Sequence, residues 1–306
     1  MVAKRPSPRG WPLGLRSTIL SKPTRFAAAQ LHGSTLNAMI FSDLALTQRL
    51  ERAEGFACAQ YAVTRRRLFP ESNAEWIECG GAYAVFDGVD SPCTQTFGLG
   101  IFEQLSEETL DTIERFFLDR ATPVLHEVSP FAGVAALDLL CRRGYRPMEL
   151  SSVLYRPVER LAARSEADGT VHIIGPEEAD LWSGISARGW AHGHPELLEF
   201  LTQFGIVTAA REQTACFLAE ADGQPGAAGV LTIHDGVALF AGSSTVPELR
   251  RRGLQTALLE ERMRYAFNQG CDLAMMVALP GSESQRNAER RGFQIAYTRT
   301  KWQLHC

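Results

Sequence analysis

The stretch Val246-Pro247-Glu248-Leu249-Arg250-Arg251-Arg252-Gly253-Leu254-Gln255-Thr256-Ala257-Leu258-Leu259 follows an apolar run, Val237-Ala238-Leu239-Phe240-Ala241-Gly242. A strand feeding a basic, glycine-containing loop that opens a helix is an anion site in physical terms. The first-turn N–H groups have no intrahelical partner, and the macrodipole favours negative charge there. Gly253 has no β-carbon and lets the backbone approach a ligand closely. Arginine forks match phosphate oxygens. Taken alone, Arg-Arg-Arg-Gly favours a solvated surface run. It is not a Walker loop, because no Gly-Lys-Ser/Thr follows, and it is not a GxGxxG fingerprint.

A second motif lies downstream: Ala278-Leu279-Pro280-Gly281-Ser282-Glu283-Ser284-Gln285-Arg286-Asn287-Ala288-Glu289-Arg290-Arg291-Gly292-Phe293. Together the two resemble GNAT-type N-acetyltransferases. The first resembles that family's pyrophosphate loop, Arg/Gln-x-x-Gly-x-Gly/Ala, and the second its helix flanking the pantetheine arm and ending in Gly-Phe. Arg250 and Gly253 fit, while Gln255 departs from the usual small residue. The resemblance is strong over about residues 171–303.

The resemblance implies a mixed central sheet flanked by helices, the acyl-CoA N-acyltransferase fold. It also implies acetyl-CoA as co-substrate, bound between two splayed strands at about 237–245 and 272–279. Cofactor contacts would come from Val246, Arg250, Arg251, Arg252, Gly253, Leu254, Gln255, Thr256, Ser284 and Asn287. An amine would attack the thioester directly and CoA thiolate would leave, which needs orientation, an oxyanion donor and a base. The family's tyrosine, four residues before the glycine of Gly-Phe, is replaced here by Ala288. The candidates left for acid and base are Tyr297 on the last strand, and Glu220 and His234 on inner strands. For Tyr297 the alternative is a structural tyrosine. His192 and His194 follow the first helix of this half, and Trp182 and Trp190 could wall an acceptor pocket or simply pack.

Working outward, residues 43–158 read as a second, similar half. Apolar spacing predicts a helix over 43–66. Strands follow at 76–81, 82–86 and 94–102, a Ser106-capped helix to about 120, a strand at 123–128, a helix over 133–143 and a strand at 148–155. The second half runs strand 171–174, a helix after Pro176, strands 214–220, 227–234 and 237–242, helix 254–268, strand 272–279, helix 283–291 and strand 294–303. Arg142-Arg143-Gly144-Tyr145 in the first half matches Arg290-Arg291-Gly292-Phe293 in the second, with the same element order around each. This points to a tandem arrangement: a basic disordered extension at 1–38, a degenerate GNAT-like domain at 39–158, a linker at 159–170 and an acetyl-CoA-binding domain at 171–306. In the corresponding region the first half has no Arg-x-x-Gly-x-Gly/Ala loop. Phe97-Gly98-Leu99-Gly100-Ile101-Phe102 is neutral and apolar, so the first half is expected not to bind CoA. His126 and Glu127 are its residues to test.

Composition narrows the classes further. The 306 residues carry 31 Lys+Arg and 35 Asp+Glu, a net charge of −4, and are 45% hydrophobic. A mildly acidic globular chain is a poor default nucleic-acid binder. No apolar run is long enough to span a membrane. Residues 1–42 hold six basic residues and no acid, so the remainder has 25 bases against 35 acids. That segment reads as a transit peptide, a disordered tail or an over-extended start with Met39 as initiator. Seven scattered cysteines without a CxxC pair read as reduced thiols in a cytoplasmic protein, and no metal set is formed. The reading that results is an acetyl-CoA-dependent N-acetyltransferase acting on a small amine, with a homodimer left open. The alternative is a non-catalytic acyl-CoA-binding sensor or scaffold.

Overall fold

A computed structural model describes residues 41–89, 91–161 and 170–305. The basic extension at 1–38 and most of the 159–170 segment lie outside the described residues. In chain order the elements are α1 (Leu44–Leu68), β1 (Glu75–Cys79), β2 (Ala82–Phe86), β3 (Gln95–Phe97), α2 (Glu107–Leu118), β4 (Leu125–Val128), α3 (Gly133–Arg142) and β5 (Tyr145–Pro157). The second half supplies β6 (Thr170–Ile173), α4 (Ala179–Trp190), α5 (Leu198–Ala209), β7 (Thr214–Ala221), β8 (Gln224–His234) and β9 (Val237–Thr245). It ends with α6 (Leu254–Asn268), β10 (Leu273–Ala278), α7 (Glu283–Arg290) and β11 (Gln294–Leu304).

All eleven strands join one sheet in the order β1-β2-β3-β4-β11-β5-β10-β9-β8-β7-β6. Apart from β6, which has no counterpart in the first half, the order reads the same under exchange of halves, because each half lends its last strand to the other. β5 lies between β10 and β11, and β11 lies between β4 and β5. The β5–β11 ladder is antiparallel and runs from Gln294↔Tyr155 to Leu304↔Tyr145. A boundary near residue 158 therefore falls just after a strand bonded on both edges to the second half.

The repeated Arg-Arg-Gly-aromatic motif has a physical role at this exchange. Gly144 (φ +89°) and Gly292 (φ +81°) end α3 and α7 in the left-handed region; β5 starts at the next residue, and β11 starts after Phe293. The second arginine of each motif ties its short helix to the longer helix before it. Arg143 pairs with Glu107, Asp111 and Glu114 of α2, and Arg291 reaches Glu260 and Thr256 of α6.

Helices cover both faces, as strand alternation requires. Along β7, Phe217 and Ala219 pack with Leu254, Leu258 and Ala266 of α6 and Ala288 of α7. Cys216 and Leu218 pack with Trp182 and Ile185 of α4. In the first half, Ala82 and Ala84 face Leu110, Ile113 and Phe117 of α2, while Val85 faces Ala59 and Ala62 of α1. No helix among the described residues is long and apolar enough to cross a membrane.

Two differences from the sequence reading have local causes. The strand expected over 94–102 stops at Phe97, because Gly98 (φ +76°) and Gly100 (φ +75°) turn the chain out of the sheet. Residues 198–209, not assigned a helix from sequence, form α5, which packs mainly against α4.

Candidate active site

β9 and β10 run parallel and start as neighbours, with Val237↔Leu273, Ala238↔Ala274 and Leu239↔Met275 in register. The ladder then ends, although β9 continues to Thr245 and β10 to Ala278. A wedge-shaped gap with an unpaired strand edge on β9 results. The divergence has a cause in β9 itself. Its register against β8 shifts between Val230↔Ala241 and Ala228↔Ser244, so Gly229 alone faces Gly242 and Ser243. This is a bulge. Gly242 carries it at φ +57°, and a β-carbon there would stand 2.9 Å from Val230 Cγ2.

The mouth of the gap is the start of α6. Arg251 (φ +63°) and Gly253 (φ +79°) place two left-handed turns just before the helix. The α6 N-terminus has no side-chain cap and no acid in its first turn. Its orphan N–H groups and dipole are thus uncompensated by side chains, next to three arginines. The corresponding helix of the first half is the opposite. α2 is capped by Ser106, which accepts from the Thr109 N–H, and carries Glu107 and Glu108 in its first turn.

The expected cofactor contacts differ in what their side chains already touch. Arg250 lies at the gap's mouth, its guanidinium donating to the carbonyls of Thr245 (3.3 Å) and Gly189 (3.4 Å). Arg251 is exposed, and Arg252 pairs with Asp222. Gln255 uses its extra length to donate to Thr245 Oγ1 at 2.8 Å, closing the end of β9 onto the helix. Val246 and Leu254 bury their side chains in the core, so only their backbones face a ligand. Thr256 accepts from Arg291 at 2.8 Å. Ser284 and Asn287 are exposed on α7, whose N-cap is Ser282, and Ala288 between them and Phe293 is a core residue.

The three candidate acid–base side chains do not converge. Tyr297 is buried and donates its hydroxyl to Glu51 Oε1 at 2.8 Å; burial and that carboxylate raise its pKa far above the usual phenol value. His234 sits at the end of β8 opposite Val237, where β9 and β10 are still paired. It stacks on Phe56 at 4.1 Å, and burial lowers its pKa. Glu220 lies near the other end of that hairpin, opposite Pro225, with β8 between it and β9. Nine strand residues separate the levels of Pro225 and His234, roughly 30 Å. Among the other residues singled out, Trp182 is a core residue donating to the Phe217 carbonyl, and Trp190 is exposed. His192 is exposed, and His194 contacts Glu196. His126 is buried against Tyr145 at 2.9 Å, and Glu127 is an ion-pair partner of Arg299.

Glu51 and Glu54 of α1 did not stand out in the sequence, yet they close a buried cluster with Arg299 beside Tyr297. Nothing in a helical period distinguishes them from solvated glutamates. Gly242 did carry a signal, a lone glycine in an apolar strand.

Comparison with known proteins agrees with this geometry. Residues 179–293 match the model of the Acetyltransferase (GNAT) family. No curated protein matches the chain. Among solved structures, a GCN5-related N-acetyltransferase from Kribbella flavida superposes with a TM-score of 0.59 at 19% identity, over 83% of this chain and 96% of that one. A tandem GNAT protein from the clavulanic acid biosynthesis pathway superposes with a TM-score of 0.50 at 12% identity, over 86% and 96%. A functionally unknown conserved protein from Staphylococcus epidermidis ATCC 12228 gives 0.52 at 9% identity, over 78% and 96%. At these identities the superpositions speak for the fold. Residues 179–293 thus carry a segment that matches the GNAT family model, and the superpositions show that the chain has the fold of these structures.

Proposed function

We propose that the protein is an N-acetyltransferase that moves an acetyl group from acetyl-CoA to the amine of a small molecule, using residues 171–306. One observation carries the proposal: the gap between β9 and β10 opens beside an uncapped, acid-free helix N-terminus bearing Arg250. These residues fit the cofactor's chemistry. The N–H groups of residues 254–256 and the Arg250 guanidinium suit a pyrophosphate. The unpaired edge of residues 240–245 suits the amides of a pantetheine arm. Acetyl-CoA itself supplies an acyl group activated as a thioester.

The acceptor would enter on the face that carries α1 and α4. There Ser244 donates to the Ser186 carbonyl at 3.0 Å, and Gly189 packs directly on Ser244, so α4 is seated on the end of β9. Residues 39–158 serve in this reading as a degenerate partner half. One observation favours the rival acyl-CoA sensor: Tyr297 has committed its proton to Glu51, and Ala288 is in the core, so neither of these two positions offers an acid side chain to the gap.

Titration calorimetry with acetyl-CoA, followed by thiol release with a panel of amines, tests both readings on the full chain. Amine-dependent thiol release, and an acetyl-CoA affinity weakened roughly tenfold in Arg250→Ala, are the expected results. Binding with no turnover on any amine transfers the assignment to a sensor. No binding removes both.

A further inference from the structure

Arg262 is a cation in the middle of a buried helix face. It is 3% exposed, between Leu258 and Ala266 of the core. Among the described residues no carboxylate pairs with it. Its guanidinium instead donates to three backbone carbonyls: Leu258 (3.2 Å), Val230 (3.1 Å) and Ala241 (3.4 Å). It lies 5.0 Å over the Phe240 ring, in space left by Gly229, where a β-carbon would stand 3.3 Å from its Nε and Cζ. Burial pulls it down to about 9, so it is still charged at neutral pH. A buried charge without a counter-charge costs stability, and apolar side chains of similar volume commonly replace such groups without loss. Core packing alone therefore does not account for an arginine here.

Its position does. Ala241 is the last residue of β9 before the bulge; it pairs with Val230 of β8, and its carbonyl accepts from the same Arg262 nitrogen that reaches the Val230 carbonyl. In a trans peptide the carbonyl and the following N–H point in opposite directions. With the Ala241 carbonyl held on the β8 side, the N–H of Gly242 points to the other side of β9, the side of the gap. We propose that Arg262 is a positioning residue: by clamping the Ala241 carbonyl across the bulge, it aims the Gly242 N–H into the gap as the donor to the acyl carbonyl oxygen. The inference rests on the acyltransferase reading of the gap. A fixed donor aimed at developing oxyanion charge acts on the reaction far more than on binding of the rest of the cofactor. The buried positive charge behind the strand adds to the same polarisation.

The test compares Arg262→Met and Arg262→Lys with the wild type, all as full chains checked for folding by circular dichroism. Hydrogen exchange over residues 238–246, calorimetry with CoA and with acetyl-CoA, and amine-dependent turnover are the readouts. In Arg262→Met, exchange over 238–246 should accelerate at least tenfold, CoA affinity should stay within threefold, and kcat should fall at least tenfold. Arg262→Lys should recover part of both losses. Unchanged exchange in a folded Arg262→Met protein overturns the clamp, whatever the turnover. So does a variant that only melts earlier, with kcat per folded molecule unchanged. If the wild type binds neither CoA nor acetyl-CoA, the reading of the gap fails instead, and the exchange result still judges the clamp.

Discussion

Arg299 of the last strand and Glu51 of the first helix, 248 positions apart, meet 3.2 Å from each other with their side chains almost wholly out of solvent. Glu54 (2.6 Å) and Glu127 (3.0 Å) complete a ring around the same guanidinium, and Ser151 accepts from its Nε at 3.1 Å. The cluster therefore joins α1, β4, β5 and β11, the elements that interlock the halves. Removing the cation strands buried carboxylates, a change that costs about 3–5 kcal/mol in comparable buried pairs. Arg299→Met is expected to lose that much in urea unfolding. Adding Glu51→Gln and Glu54→Gln should restore a large part, because the uncompensated charge is then gone. Equal stability of wild type and Arg299→Met would show that the ring is not structural.

Asp87 gives the protein a pH dependence of known sign. Its side chain is fully buried, accepts from Ser91 Oγ, and has Arg65 Nε at 3.6 Å. Burial outweighs both partners and raises it from 3.8 to about 6. A carboxyl raised on folding binds its proton more tightly in the native state. Its contribution is thus complete below pH 3.8 and lost as the pH climbs through 6. The change corresponds to roughly 3 kcal/mol. Asp87→Asn, which keeps an acceptor for Ser91, should abolish this part of the slope. Parallel stability profiles between pH 4 and 7 for wild type and variant would refute it.

The element order, the anion loop, the helix motif ending in Gly-Phe and the repeat were legible because each is local. Periodicity reports a helix face, and Arg250 to Gly253 report a helix start. The strand exchange was not, since a strand's pattern records which face is buried but not which neighbour it bonds. β5 and β11 read the same whether they close their own half or the other. Tyr297 shows the same limit at the site. Its strand and burial follow from sequence, but its commitment to Glu51 depends on a helix 246 positions away. Arg262 was invisible for a related reason: a lone arginine in a helix reads as surface, and its Val230 and Ala241 acceptors lie on strands distant in sequence.

Gly242 should be intolerant of side chains for two separable reasons. At φ +57° a β-branched residue is strained, by about 1–2 kcal/mol. Its β-carbon would also press on Val230 at 2.9 Å. Gly242→Val is expected to flatten the bulge, lower the melting temperature by several degrees and abolish acyl transfer. Gly242→Ala should keep the fold with reduced turnover. Wild-type activity in Gly242→Val would show that the bulge is incidental to the site.

The full chain should bind one acetyl-CoA, not two. In the first half the counterpart of the gap is closed from within. β3 and β4 share only the Thr96↔His126 pairing, and the loop that follows β3 buries Leu99 and Ile101. The Phe102 ring packs onto Gly81 and Gly98, where any β-carbon would collide with it, and the Arg52 guanidinium lies 4.0 Å over the Phe102 ring. Even an opened gap there would meet Ser106 and two glutamates at the start of α2, a helix end already neutralised and repulsive to a pyrophosphate. Calorimetry should therefore give a stoichiometry of one per chain in the wild type and in Phe102→Ala alike. Arg250→Ala should weaken that single event without revealing a second. A stoichiometry of two, or residual tight binding in Arg250→Ala that disappears in a Phe102→Trp background, would place a cofactor in the first half and contradict the assignment of its closed gap.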